Sequence, residues 1–136
     1  MPMTIETSLR SNVLYVSATG EFTLAEAKRT FLELIGAVEK FQSEKILFDG
    51  RAITGNPTFV ERFYYGEFAA ESILQLQPKL GHGRNPRFAY VLEHPVLDPE
   101  RLGETIAINR GANVKAFETM NDAIEWLDTE QDEPYP

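Results

Sequence analysis

Hydrophobic and polar positions alternate over the first part of the chain and then recur at helical spacing. The alternation over residues 3–9 and 13–19 predicts two strands joined by a short polar turn, with Gly20 ending the second strand. Thr23 is expected to begin a helix, and Glu26, three residues later, to complete a capping box. Apolar side chains then recur every three or four residues, at Leu24, Ala27, Phe31, Leu34, Ile35 and Val38.

After this helix, short apolar runs alternate with longer amphipathic segments. The apolar runs predict strands at Lys45–Asp49, Arg87–Leu92 and Val114–Phe117. Helices are predicted from Asn56-Pro57 to Gln77, from Asp98-Pro99 to Gly111, and from Thr119 onward. Strands that alternate with helices need crossover connections, so the pattern predicts a largely parallel sheet, which the N-terminal hairpin makes mixed. We therefore predict a single-domain α/β fold.

The composition narrows the classes of function. The chain has 136 residues with 13 Lys and Arg, 21 Asp and Glu and no Cys, giving a net charge of −8. The absence of Cys excludes disulfides, thiolate zinc sites and a cysteine nucleophile. The acidic balance argues against nucleic-acid binding, which needs a basic face. No signal-peptide pattern or membrane-length apolar stretch is seen, so a cytoplasmic location and no membrane span are expected.

Acidic residues are concentrated near the end of the chain. Between Glu118 and Glu133 there are seven acids and no Lys or Arg. Residues 129–136 have little to bury and are interpreted as a disordered acidic tail. The predicted domain is then residues 1–128.

The candidate catalytic and metal-binding residues do not form recognisable motifs. His82 and His94 lack the spacing of metal ligands, and no Gly-x-Ser-x-Gly elbow is present. Gly81–Pro86 begins like a dinucleotide loop, but a Pro replaces the third Gly and the segment follows a helix. We therefore predict no metal and no cofactor. An enzyme using Asp49, Glu67 or His82 in acid–base chemistry is the third hypothesis.

Basic residues form one local cluster in this acidic chain. Lys79, His82, Arg84 and Arg87 lie within nine residues, with two glycines and no acid among them. Together with Arg51 they are candidate contacts for an anionic ligand. The alternative, which we favour, is a solvated connection that balances nearby acids.

The second long helix carries more apolar surface than one face needs. Phe59, Phe63, Gly66, Ala70, Ile73, Leu74 and Gln77 share one face and are predicted to form the core stripe. Tyr64, Tyr65 and Phe68 are expected to point elsewhere. They either pack under a neighbouring helix or form an interface with a partner, and both interpretations stay open.

Two threonines flank the expected start of this helix. Thr54 and Thr58 are candidate phosphoacceptors, because a phosphate there would meet the positive end of the helix dipole. The alternative is that the polar residues of this loop serve only as turn and cap residues.

Several segments, together with the element order, resemble the bacterial STAS-like family, relatives of the sporulation anti-sigma-factor antagonists. They are Glu21–Leu24, Phe48–Arg51, Glu61–Ala69, Ala107–Gly111 and Ala123–Leu127. The resemblance covers the chain to about Leu127. It implies a β/α superhelix of about five strands in sequential order, with four helices largely on one face. It also implies a signalling or ligand-sensing module rather than an enzyme.

The chain departs from the family at the loop before the second helix. STAS antagonists have an Asp-Ser-Ser/Thr-Gly motif there with a phosphorylated Ser, whereas this chain reads Ile53-Thr54-Gly55-Asn56-Pro57-Thr58 and has no Ser. The first hypothesis is a non-enzymatic STAS-like module that binds a protein partner and self-associates as a homodimer through the second helix. The alternative is a carrier of a small anionic or lipid-like ligand, related to CRAL-TRIO domains.

Overall fold

Within residues 2–98 and 100–128, which the computed structural model describes, five strands and four helices alternate after an N-terminal hairpin. The strands are β1 (Thr4–Arg10), β2 (Val13–Glu21), β3 (Lys45–Thr54), β4 (Arg87–Val91) and β5 (Val114–Phe117). The helices are α1 (Leu24–Phe41), α2 (Phe59–Leu76), α3 (Leu102–Asn109) and α4 (Met120–Asp128). A 3₁₀ turn, Gln77–Lys79, follows α2 and contains Pro78, whose ring cannot continue an α-helix.

The strands form one mixed sheet in sequential order, β1-β2-β3-β4-β5. β1 is antiparallel to β2, and the other neighbours are parallel. Lys45 of β3 pairs with Arg87 of β4, and Asp49 pairs with Val91, so the two parallel strands begin level with each other. This arrangement confirms the predicted single-domain α/β fold with a mixed, mostly parallel sheet.

The sheet is covered on both faces, but unequally. α1, α2 and α3 contribute to a core over one face, against β-strand residues such as Leu14, Ile46 and Phe88. α4 packs on the opposite face, against Leu47 and Val91. Three helices on one side and one on the other confirm the expectation of helices largely on one face. The predicted acidic tail, 129–136, lies outside the described residues.

The segment before β1 lies against the end of β2 and the start of α1, and two predictions are wrong here. β2 continues through Gly20, whose φ of +114° suits glycine, and a Cβ there would lie 2.5 Å from the Pro2 carbonyl oxygen. Thr23 does cap α1, accepting from the Glu26 N–H at 3.2 Å. The Glu26 carboxylate, however, accepts from the Met3 N–H at 3.1 Å, so the expected capping box does not form.

Helices α2 and α3 both begin later than predicted. Thr58 rather than Asn56 caps α2: its hydroxyl accepts from the Glu61 N–H at 3.1 Å, and the Glu61 carboxylate accepts from the Thr58 N–H at 2.9 Å. α3 begins at Leu102 rather than at Asp98-Pro99. Asp98 lies before α3, and its carboxylate accepts a hydrogen bond from the N–H of Leu102, the first residue of the helix, at 2.8 Å.

Candidate functional site

Small residues make up the middle of the inner face of α2. Gly66, Ala69 and Ala70 are buried there together with Ile73. Small side chains let the backbone of α2 approach its neighbours closely. The space between them is then filled by the larger side chains that flank the small ones. The predicted core stripe is wrong at Phe59 and Leu74, which are exposed.

Tyr65 and Phe68 belong to the core side of α2. Both are partly buried and pack against the main core, where the Phe31 ring lies edge-on to each, at centroid distances of 6.0 and 6.3 Å. The prediction that these two residues point away from the core is wrong, and packing against α1 explains their apolar character. Of the three predicted interface residues, Tyr64 alone is exposed.

The outer side of α2 near its start carries an exposed apolar cluster. Phe59, Val60 and Tyr64 are 71%, 56% and 51% exposed. The Phe63 ring contacts the Tyr64 ring at a centroid distance of 5.6 Å. We call Phe59, Val60, Phe63 and Tyr64 the α2 outer patch. Successive turns of the helix bring these four side chains together on one side.

A cavity of about 130 Å³, partly open to solvent, lies between α2 and the sheet and is also lined by residues of α1, α3 and the segment after β4. Most of its lining is apolar. Tyr65 from α2 and Tyr90 from β4 contribute the phenol groups of the lining. The Tyr90 hydroxyl is buried and has no hydrogen-bond partner among the described residues. Burial raises the pKa of both Tyr65 and Tyr90, so both phenols are neutral at pH 7.

The two arginines of the cavity lining are already engaged with backbone carbonyls. Arg62 donates to the carbonyl oxygens of Val96 at 2.9 Å and Pro95 at 2.6 Å. Arg101 donates to the Ala116 carbonyl at 2.7 Å. Their guanidinium groups therefore hold α2, α3 and the neighbouring loops together at the rim of the cavity.

The predicted anion-binding residues do not form one site. Lys79, His82, Arg84 and Arg87 lie at or before the start of β4, and Arg84 pairs with Glu44 at 2.9 Å. Arg51 lies six residues beyond Lys45, the register partner of Arg87, and so about 20 Å further along the sheet. One small ligand cannot span that distance. The expectation that a ligand contacts Arg51 together with Arg84 and Arg87 is therefore wrong.

The candidate acid–base residues are also separated and engaged elsewhere. Asp49 binds Arg51 through two hydrogen bonds of 2.9 Å, and Glu67 pairs with Arg110 at 2.6 Å. The His82 ring accepts the Arg84 N–H at 2.9 Å. Within residues 2–98 and 100–128 no group of three or more potential metal ligands occurs.

The candidate phosphoacceptors lie at the two ends of the loop between β3 and α2. Thr54 is exposed at the end of β3. Thr58 caps α2 with its hydroxyl, so a phosphate there would replace the acceptor that holds the first turn. Phosphorylation of either residue stays a prediction.

The cavity was not predicted from the sequence, although Tyr90 could have indicated it. Tyr90 was assigned only to an apolar strand, yet a buried Tyr hydroxyl usually has a hydrogen-bond partner. A Tyr within a buried strand therefore marks a place where the interior is either polar or hollow. The exposure of Phe59 was missed because helical periodicity placed it on the core face.

The order of the strands and the placement of the helices give this chain a STAS-like α/β fold. The chain is similar to the crystal structure of an anti-sigma factor antagonist from Mycobacterium paratuberculosis, with a TM-score of 0.60 and 18% identity over 93% of this chain and 95% of that one.

It is also similar to an uncharacterised protein with a SpoIIAA-like fold from Shewanella loihica, with a TM-score of 0.48 and 19% identity over 93% of this chain and 94% of that one. No protein-family model and no curated protein matches the sequence. Among the helices described, none combines the length and apolar character needed to cross a bilayer.

Proposed function

We propose that this chain is a cytoplasmic, non-enzymatic STAS-like module that binds a protein partner through the α2 outer patch. The observation that carries the proposal is the exposure of Phe59, Val60 and Tyr64 on adjacent positions of one helix. Aromatic side chains are enriched at the centres of protein interfaces. The M. paratuberculosis protein of similar fold is named for antagonism of an anti-sigma factor, which is itself a protein.

The charge around the patch favours a basic partner. α2 contains three Glu and one Arg, and one of the three, Glu67, is paired with Arg110, so the net negative charge of the helix is small. The whole chain has a net charge of −8. A surface of this sign attracts a partner with a basic rim and repels a second copy of the same chain.

The test compares three forms of the protein: wild type, the double variant Phe59→Ser/Tyr64→Ser, and the control Leu32→Ser. Leu32 is 54% exposed and lies on α1, outside the patch. Each form is first immobilised and used to capture binding proteins from a cell extract. The affinity of a captured basic partner, once purified, is then measured for each form by calorimetry at low and high salt. We expect wild type and Leu32→Ser to bind equally, and the double variant to bind roughly 10- to 30-fold more weakly. Binding to wild type should also weaken at high salt.

Two results would count against this proposal. Equal partner binding by the double variant would remove the α2 outer patch from the interface. A wild-type dimer, seen by light scattering and abolished in the double variant, would assign the patch to a second copy of the chain, which is the predicted homodimer. Thermal unfolding of all three forms checks that the substitutions leave the fold intact.

A further inference from the structure

The cavity beneath α2 is large enough for a small organic molecule. Its volume is about 130 Å³. A site for one water needs only about 10–15 Å³, and a dry apolar cavity of about 150 Å³ in another protein binds benzene. The rings of Phe31, Phe48 and Tyr65 contribute to its walls. A molecule the size of one substituted aromatic ring therefore matches this space in volume and in polarity.

The unpaired Tyr90 hydroxyl defines the polar part of such a molecule. A buried hydroxyl without a partner is destabilising, and a ligand that accepts its hydrogen bond recovers part of that cost. As a neutral phenol, Tyr90 can donate to a carbonyl, ether or alcohol oxygen. The Phe48 ring packs on the Tyr90 ring at a centroid distance of 5.5 Å, which holds the phenol in place.

The charge of the lining disfavours an anionic head group. Three cations belong to the lining, Arg62, Arg101 and Lys115, alongside the acids Asp98 and Glu104. The Lys115 ammonium lies 5.6 Å from the Phe117 ring, which packs with α4 on the opposite face of the sheet. A carboxylate buried in this cavity would need a cation beside it. The guanidinium groups of Arg62 and Arg101 are already hydrogen-bonded to backbone carbonyls, and Arg101 also lies 3.6 Å from the Glu104 carboxylate. Moving either arginine to a ligand would break contacts that hold α2 and α3 in place.

We propose that the cavity between α2 and the sheet binds a small, uncharged, largely apolar molecule with one oxygen that accepts a hydrogen bond from Tyr90. This site is distinct from the α2 outer patch, which lies on the exposed side of the same helix. The carrier hypothesis drawn from the sequence is thereby altered, because its anionic ligand is replaced by a neutral one and its arginine contacts by a tyrosine.

The test uses three probes that share one ring and differ in one group: benzyl alcohol, toluene and benzoate. Affinities are measured by NMR titration of the full chain, and nuclear Overhauser contacts to Tyr65 and Tyr90 locate the bound ring. We expect wild type to bind benzyl alcohol most tightly, toluene more weakly and benzoate not at all. Tyr90→Phe should weaken benzyl alcohol binding roughly 5- to 10-fold and leave toluene binding unchanged.

Two variants separate a loss of binding from a loss of folding or from an effect at the α2 outer patch. Tyr90→Phe removes a buried unpaired hydroxyl, so it should fold with at least wild-type stability. Phe59→Ser, on the exposed side of α2, should bind all three probes as wild type does, which separates this site from the partner surface. Failure of every probe to bind, benzoate binding as tight as that of benzyl alcohol, or unchanged benzyl alcohol affinity in Tyr90→Phe would each overturn the proposal.

Discussion

Asp49 and Arg51 form the best-defined ion pair among the site residues that the sequence singled out. The guanidinium donates two hydrogen bonds of 2.9 Å to the two carboxylate oxygens, and the Arg51 N–H donates a third. The hydrogen bonds from Arg51, opposed by partial burial, hold the pKa of Asp49 below its ordinary value of 3.8. The pair orders the chain just where β3 passes the end of β4.

This pair predicts a pH-dependent contribution to stability. A carboxyl group with a lowered folded-state pKa stabilises the fold above its unfolded pKa and loses that contribution as pH falls through the folded value. A double-mutant cycle with Asp49→Asn and Arg51→Gln should give a coupling of about 0.5 kcal/mol at pH 7, typical of a partly exposed pair. Urea unfolding at pH 7, 4 and 2 should show the coupling intact, then reduced, then absent. A coupling that persists at pH 2 would contradict this.

At the level of elements, α2 and α3 meet through two glycines. A Cβ added at Gly66 would lie 2.9 Å from the Gly103 carbonyl oxygen and 3.1 Å from its Cα. The opposite substitution is not crowded, since a Cβ at Gly103 would lie 3.6 Å from the Arg62 carbonyl oxygen. The close approach of these two helices therefore depends on Gly66 alone.

Gly66→Ala should separate α2 from α3 and lower the free energy of unfolding by about 1–3 kcal/mol, because backbone cannot yield as a flexible side chain can. Gly103→Ala is the matched control and should stay within about 1 kcal/mol of wild type. Gly36→Ala, in the middle of α1 with nothing within 4 Å of its added Cβ, should be stabilising by up to about 1 kcal/mol. Chemical unfolding of all three variants measures this, and equal losses at Gly66 and Gly103 would refute the crowding argument.

Taken as a whole, the molecule depends on one short helix to cover one face of its sheet. α4 buries Ala123 and Leu127 against Leu47, Ala89 and Val91, and the Trp126 ring lies 5.8 Å from the Phe117 ring. The Arg87 guanidinium also donates to the Trp126 carbonyl at 3.1 Å, which joins α4 to the start of β4. Without this helix, the central strands would expose apolar side chains.

Leu127→Ala should therefore lower the free energy of unfolding by about 2–5 kcal/mol, the usual cost of emptying a well-packed leucine site. Leu127 is 1% exposed, whereas Ile124 on the same helix is 39% exposed. Ile124→Ala is accordingly the control and should cost about 1 kcal/mol or less. Thermal and urea unfolding distinguish the two. Similar losses at both positions would mean that α4 contributes mainly through its helical backbone.

The sequence predicted secondary structure correctly where a local pattern of residues was compatible with only one element. The alternation over residues 13–19 predicted a strand, and β2 is found at Val13–Glu21 with Leu14, Val16 and Ala18 buried. The sequence was a poor guide to helix ends, because Asn56 and Thr58 are both good cap residues. The choice between them depends on Glu61, which can close a capping box only with Thr58.

The sequence by itself determined the order of strands and helices, the mixed and mostly parallel sheet, and the resemblance to STAS-like proteins. The tertiary structure decided which side of α2 is exposed, because that helix is apolar nearly all round and its neighbours, not its periodicity, select the buried side. It also decided that Arg51 and Arg87 lie at opposite ends of two neighbouring parallel strands. The cavity with its unpaired Tyr90 hydroxyl depends on four elements meeting in space, and a linear pattern of residues does not encode the volume left between them.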